Sequence, residues 1–117
     1  SEETVIGYIC ATDNKPHRYF VDLTIRTTSG RTLLVEIKPH AQTLPPKKKK
    51  LNEALTYMKN TSKWKYAQKF CDDRGYEFQI WTEHELEAMG VKTMSMKMKA
   101  SKTKVGKRIW KTLKKRV

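Results

Sequence analysis

Asp22, Glu36 and Lys38 are the residues of this 117-residue chain whose types and spacing point to chemistry. Asp22 lies in RYFVDLTIR, and Glu36 and Lys38 close TLLVEIK shortly afterwards. Two carboxylates that converge can hold a divalent cation. A lysine two residues beyond the second acid points to the same side of a strand, because strand side chains alternate. A metal clamp beside a fixed ammonium is the equipment with which water attacks a phosphodiester.

The elements that must bring these groups together are two β-strands and the turn between them. Tyr19, Val21, Leu23 and Ile25 alternate with Arg18, Phe20, Asp22, Thr24 and Arg26, which predicts one strand through Asp22. Leu33, Val35 and Ile37 alternate with Thr32, Leu34, Glu36 and Lys38, which predicts the second. Gly30 decides the register. With Thr28-Ser29-Gly30 as a type I turn closed by a left-handed glycine, Thr27 faces Arg31, Thr24 faces Leu34 and Asp22 faces Glu36. A four-residue loop from Thr27 to Gly30 would instead set Asp22 against Val35 and turn Glu36 away. The first register is the expected one. The plain alternative to a metal site is a cross-strand acid pair on a solvated face. Like charges directly opposed are unfavourable without a cation, and Phe20 and Leu34 on the same face argue against full solvation.

Asp22 followed by Glu36-Ile37-Lys38 on the next strand resembles the motif of the PD-(D/E)xK nuclease superfamily, with Val21 in place of the usual proline. The ordered set His17–Asp22, Val35–Pro39, Gln42–Pro46, Lys63-Trp64, Gly75–Phe78 and Thr82-Glu83 narrows this. It is similar to the head-completion nucleases of tailed phages with contractile tails and, more distantly, to the endonuclease subunits of cut-and-paste transposons. The similarity spans roughly residues 1 to 91.

That resemblance implies a restriction-endonuclease-like fold of the α/β (α+β) class, with a mixed sheet of about four strands and flanking helices. It implies Mg2+, with Mn2+ as a substitute, bound by Asp22, Glu36 and the main-chain carbonyl of Ile37, and a water positioned by Lys38. It also implies a DNA substrate, phage head or neck proteins as partners, a dimer as one way to cut two strands, and a location in the host cytoplasm during assembly or in the virion. Many members add a glutamate from a helix upstream of the first strand. The sequence is expected to begin past that helix, with Glu2 and Glu3 its only acids before Thr4.

Composition fits these expectations. The formal net charge is +13, and residues 92–117 carry 11 of the 25 basic side chains and no acid. Residues 1–91 therefore form a nearly neutral body, and residues 92–117 a cationic tail that calls for a polyanionic partner. Within the tail, Val105, Ile109, Leu113 and Val117 recur about every fourth residue, with Lys107, Arg108, Lys111, Lys114, Lys115 and Arg116 around them. This predicts an amphipathic helix for DNA phosphate, for docking into an assembly, or for an anionic membrane surface. Lys47, Lys48, Lys49 and Lys50 make a second phosphate-binding candidate, in a loop stiffened by Pro45-Pro46. Lys63 and Lys65, near a helix start, make a third.

The remaining elements are a first strand over Thr4–Cys10, a helix through Leu51, Ala54, Leu55 and Met58, and a second helix capped near Asn60-Thr61-Ser62 and ended by Gly75. A strand over Tyr76–Trp81 follows, then a short helix opened by Thr82-x-x-Glu85, with His84 on its surface. Trp64 and Phe70 have the spacing of core residues. Cys10 and Cys71 are isolated cysteines, and together with His17 and His40 they lack any zinc-ligand spacing. No stretch approaches the ~20 apolar residues of a membrane span. Two other functions fit the same residues. One is a structural virion or DNA-binding protein with a residual nuclease fold. The other is a resolvase or transposon-type nuclease.

Overall fold

The computed structural model describes residues 3–48 and 50–90. Its elements are β1 (Val5–Ile9), β2 (Pro16–Phe20), β3 (Leu23–Arg26), β4 (Thr32–Ile37), a 3-10 turn (His40–Thr43), α1 (Leu51–Arg74), β5 (Glu77–Trp81) and α2 (Glu83–Ala88). Among the described residues, five strands form two sheets: β1 pairs with β2, and a second sheet has the order β3-β4-β5. The chain divides into two compact units, Ser1–Glu36 with Pro45–Gln79, and Ile37–Leu44 with the chain from Ile80 onward.

The first unit is built on alternation. Ile6 and Tyr8 of β1 and Tyr19 of β2 face inward, with Ile6 directly opposite Tyr19. Val5 and Phe20, also opposed, lie on the exposed face. Tyr8, Cys10, Val21, Leu34, Ala67 and Cys71 join Ile6 and Tyr19 in one buried cluster, flanked by Tyr66, Phe70, Tyr76 and Phe78. Burial pushes the Cys71 thiol up to about 11, because a thiolate has no water to solvate it there.

The predicted strand from Arg18 to Arg26 is broken. The ladder of the first hairpin continues to Val21, whose N–H bonds to the carbonyl of Thr4 at 3.0 Å. The chain then bends at Asp22 and enters the other sheet as β3. One run of alternating residues thus serves two sheets, with the acid at the bend.

The register of β3 and β4 is the expected one. Leu23 opposes Val35, Thr24 opposes Leu34 and Arg26 opposes Thr32. Gly30 adopts φ +88°, its N–H bonds to the Thr27 carbonyl at 3.1 Å, and the Thr27 N–H bonds to the Arg31 carbonyl at 2.8 Å. A side chain at Gly30 would force the left-handed region on a residue that resists it. Arg31 also holds Glu77 with two bonds of 2.7 Å. β4 departs from the alternating pattern: as the middle strand, all six of its residues are buried.

α1 is one helix of 24 residues where two were expected. The hydroxyl of Thr61 donates to the carbonyls of Tyr57 and Met58, and that of Ser62 donates to Met58 at 2.9 Å. Bonded back into the preceding turn, these hydroxyls are satisfied inside the helix and do not open a new one. Ser62 also accepts the Ala11 N–H at 3.1 Å, tying the helix to the loop after β1. Gly75 ends α1 at φ +70°, and Tyr76 N–H bonds back to Cys71 O at 2.9 Å. In the second unit, Thr82 and Glu85 form the expected capping box of α2. His84 lies on the surface, edge-on to His40 at 4.9 Å.

Candidate active site

Glu36 is the organising side chain. It sits near the end of β4 with 1% of its surface exposed. A carboxylate so buried is costly unless it is hydrogen-bonded. Two donors reach it from other elements. The hydroxyl of Tyr19 on β2 donates to Oε2 at 2.9 Å, and the indole N–H of Trp64 on α1 donates to the same oxygen at 3.3 Å. Both bonds end on Oε2, so Oε1 is the oxygen they leave for a cation.

Asp22 is half-buried at the bend before β3. It directly precedes Leu23, and Glu36 directly follows Val35, so the Leu23–Val35 pair extended by one step would bring the two acids opposite each other. Lys63 on α1 stands with its ammonium 5.5 Å from the centre of the Tyr19 ring. Burial holds Lys63 below the usual lysine range, opposed by the negative charges of Glu36 and Asp22 and assisted by Lys59. Within the first unit, then, Glu36 is bonded to Tyr19 and Trp64, and Lys63 stands over the Tyr19 ring.

Ile37 and Lys38 follow Glu36 along the chain and open the second unit. Both are fully buried. The Lys38 N–H bonds to Trp81 O at 3.0 Å, while its ammonium has no hydrogen-bond partner among the described residues. A fully buried ammonium without a partner is among the most costly arrangements a fold can hold, and an incoming anion or water would relieve it. Oxygen ligands from Asp22 and Glu36 suit a hard divalent cation of the Mg2+ type, and a cation would also remove their mutual repulsion.

Of the phosphate-binding candidates, Lys47, Lys48 and Lys50 are exposed just before and at the start of α1. Lys49, Lys107, Arg108, Lys111, Lys114, Lys115 and Arg116 lie outside the described residues. Trp64, expected in the core, is instead half-buried and bonded to Glu36. Neither Tyr19 nor Trp64 stood out as a site residue in the sequence. The hints were their places in the ordered motifs, Tyr19 within His17–Asp22 and Trp64 within Lys63-Trp64. Cys10, Asp13 and His17 bring three ligand-type atoms within 4.8 Å of one another, a grouping the cysteine and histidine spacing did not suggest. Among the described residues, no helix is long and apolar enough to cross a membrane.

An aspartate at a strand bend followed by a buried Glu-x-Lys on a mixed α/β scaffold is the pattern of a nuclease-type domain. Residues 1–83 match the family described as TnsA-like endonuclease N terminal, and the chain belongs to that family. It is also 41% identical over 102 residues to the head completion nuclease of Enterobacteria phage T4, covering 79% of this chain and 68% of that protein. No solved structure matches. An endonuclease of this family implies a divalent metal and DNA as substrate.

Proposed function

We propose that this chain is a magnesium-dependent endodeoxyribonuclease that works in phage head completion. The observation that carries the reading is Glu36, buried and oriented by Tyr19 and Trp64 through one oxygen. In this reading Asp22, Glu36 and the carbonyl of Ile37 hold the cation. When bound, Mg2+ supplies Lewis acidity to the phosphoryl group and lowers the pKa of the attacking water. Lys38, two residues beyond Glu36 and with no hydrogen-bond partner for its ammonium among the described residues, orients that water and offsets charge on the phosphate. Tyr19 and Trp64 keep Glu36 in one orientation, so little is reorganised during the reaction.

Lys47, Lys48, Lys49, Lys50 and Lys63 add affinity for the phosphate backbone, as do Lys107, Arg108, Lys111, Lys114, Lys115 and Arg116 of the tail. Backbone affinity of this kind falls steeply with salt and carries little sequence preference. Removing residues 92–117 is expected to weaken DNA binding and flatten its salt dependence. An unchanged salt slope would take the tail out of the DNA interface. Phage head or neck proteins are the partners this role requires.

The deciding experiment compares plasmid and linear DNA with Mg2+, with EDTA and with Glu36→Ala. Cleavage that requires both metal and Glu36 is the expected result. Salt-sensitive binding without cleavage would favour a structural DNA-binding role. The match to the TnsA-like family supports a second reading, a transposon-type nuclease, which preference for transposon-end or branched DNA would reveal.

A further inference from the structure

Among the described phosphate-binding candidates, Lys63 differs from Lys47, Lys48 and Lys50 in where it stands. An ordinary phosphate-contacting lysine is solvated on a long flexible stem. Lys63 is half-buried, and its ammonium lies over the ring of Tyr19, the residue whose hydroxyl holds Glu36. Its neighbour Trp64 donates to the same carboxylate oxygen. The adjacent residues Lys63 and Trp64 thus place one cation over the Tyr19 ring and one N–H donor on Glu36, and the negative charges of Glu36 and Asp22 favour the charged form of Lys63. Lys69, six residues further along the same helix, is exposed and pairs only locally, with Asp73 at 3.3 Å.

We propose that Lys63 is a catalytic residue, whose ammonium meets the scissile phosphate at the Asp22–Glu36 pair from the helix side. The proposal rests on the nuclease reading and changes the role of Lys63 within it, from general affinity for DNA to a part in the reaction. Charge balance gives it a distinctive signature. Two carboxylates beside Lys63 carry a net charge of about −1, and a divalent cation turns that sum positive, so Lys63 opposes metal loading. A phosphate oxygen restores the balance. Lys63 therefore weakens metal binding to the free protein, and a bound phosphate offsets that penalty.

The test uses the full chain as wild type, Lys63→Met, Lys63→Arg and Lys69→Met. It measures single-turnover cleavage at saturating DNA, DNA affinity against salt, and Mn2+ affinity by calorimetry without DNA. Lys63→Met is expected to cut roughly 100-fold more slowly. Its salt slope should stay near that of wild type, and it should bind Mn2+ roughly 5-fold more tightly. Lys63→Arg keeps the charge, so its Mn2+ affinity should remain that of wild type. Lys69→Met should match wild type throughout. A merely structural residue would lose cleavage and metal binding together, and that result overturns the proposal. So does a loss seen only in DNA affinity and salt slope. If wild type does not cut DNA but Lys63→Met still binds Mn2+ more tightly, the nuclease reading fails and the placement of Lys63 at the acids stands. If Mn2+ affinity does not rise, the proposal fails on its own. Should Lys63→Met fail to fold, Lys63→Gln carries the same measurements.

Discussion

The hairpin tip at Cys10, Asp13 and His17 and the acids at Asp22 and Glu36 both gather side chains of the kind that bind metals, but they treat their polar atoms differently. At the tip every group is closed off by a near neighbour. Asp13 Oδ1 accepts the Lys15 N–H at 3.0 Å, Asp13 Oδ2 meets His17 Nε2 at 2.7 Å, and the Cys10 sulfur contacts the Thr12 hydroxyl at 3.0 Å. These bonds hold Asn14 in the left-handed region, at φ 57°, and so shape the turn between β1 and β2. At Glu36 the donors come from residues 17 and 28 positions away, and both end on one oxygen. Local closure marks a turn that is complete in itself. Long-range donors converging on half a carboxylate mark a group held ready for something else.

The largest expected effect tests that distinction directly. Asp22→Ala or Glu36→Ala should abolish cleavage, a loss on the order of 10³-fold or more, and remove Mn2+ binding seen by calorimetry. His17→Ala should leave both nearly intact. Mn2+ binding that depends on His17 would reverse the comparison.

A middle-sized effect sharpens it. Tyr19→Phe removes a donor from a buried carboxylate, and about 1–3 kcal/mol of stability should go with it. Cleavage should fall roughly 10-fold as Glu36 loses its fixed orientation. Trp64→Phe, removing the longer bond, should do less of both. Urea unfolding and single-turnover rates check the two changes separately.

The smallest effects concern groups that the fold has already settled. His17 and the Lys15 backbone N–H hold Asp13 below the usual carboxylate range. Its contribution is therefore present above the ordinary Asp pKa and is lost as pH falls through the lower folded value. An exposed pair of this kind should move the melting midpoint by no more than about 2 °C. Cys71 works in the opposite direction. Its thiol stays protonated up to about 11, so alkylation of the native protein at pH 8 should be very slow. Its contribution to stability should decline as pH climbs from the ordinary thiol value towards 11. Rapid labelling of Cys71 at pH 8 would mean that the core opens readily.

How much of this was legible in the sequence depended on the range of the signal. Gly30 set the β3–β4 register because a turn is decided by a few adjacent residues, and the caps at Gly75 and Thr82 were legible for the same reason. The break at Asp22 was hidden, since Tyr19, Val21, Leu23 and Ile25 keep their alternation across two sheets. Thr61 and Ser62 looked like caps because nothing nearby reveals that their hydroxyls bond backwards. The burial of Glu36 followed from β4 being the middle strand, a property of the sheet and not of the strand. The bonds from Tyr19 and Trp64 to Glu36 leave no trace in local periodicity, so the acids could be identified in the sequence and the residues that hold them could not.

The bond from Trp64 to Glu36 has a practical consequence. An indole whose N–H rests on a carboxylate reports on that carboxylate, because its emission responds to the charge and polarity beside the ring. When a cation draws electron density from Glu36, the fluorescence of Trp64 should change without any attached label. With Trp81 and Trp110 replaced by phenylalanine, the protein would carry its own dye beside Glu36, and the order in which metal and DNA arrive could be followed in a stopped-flow trace.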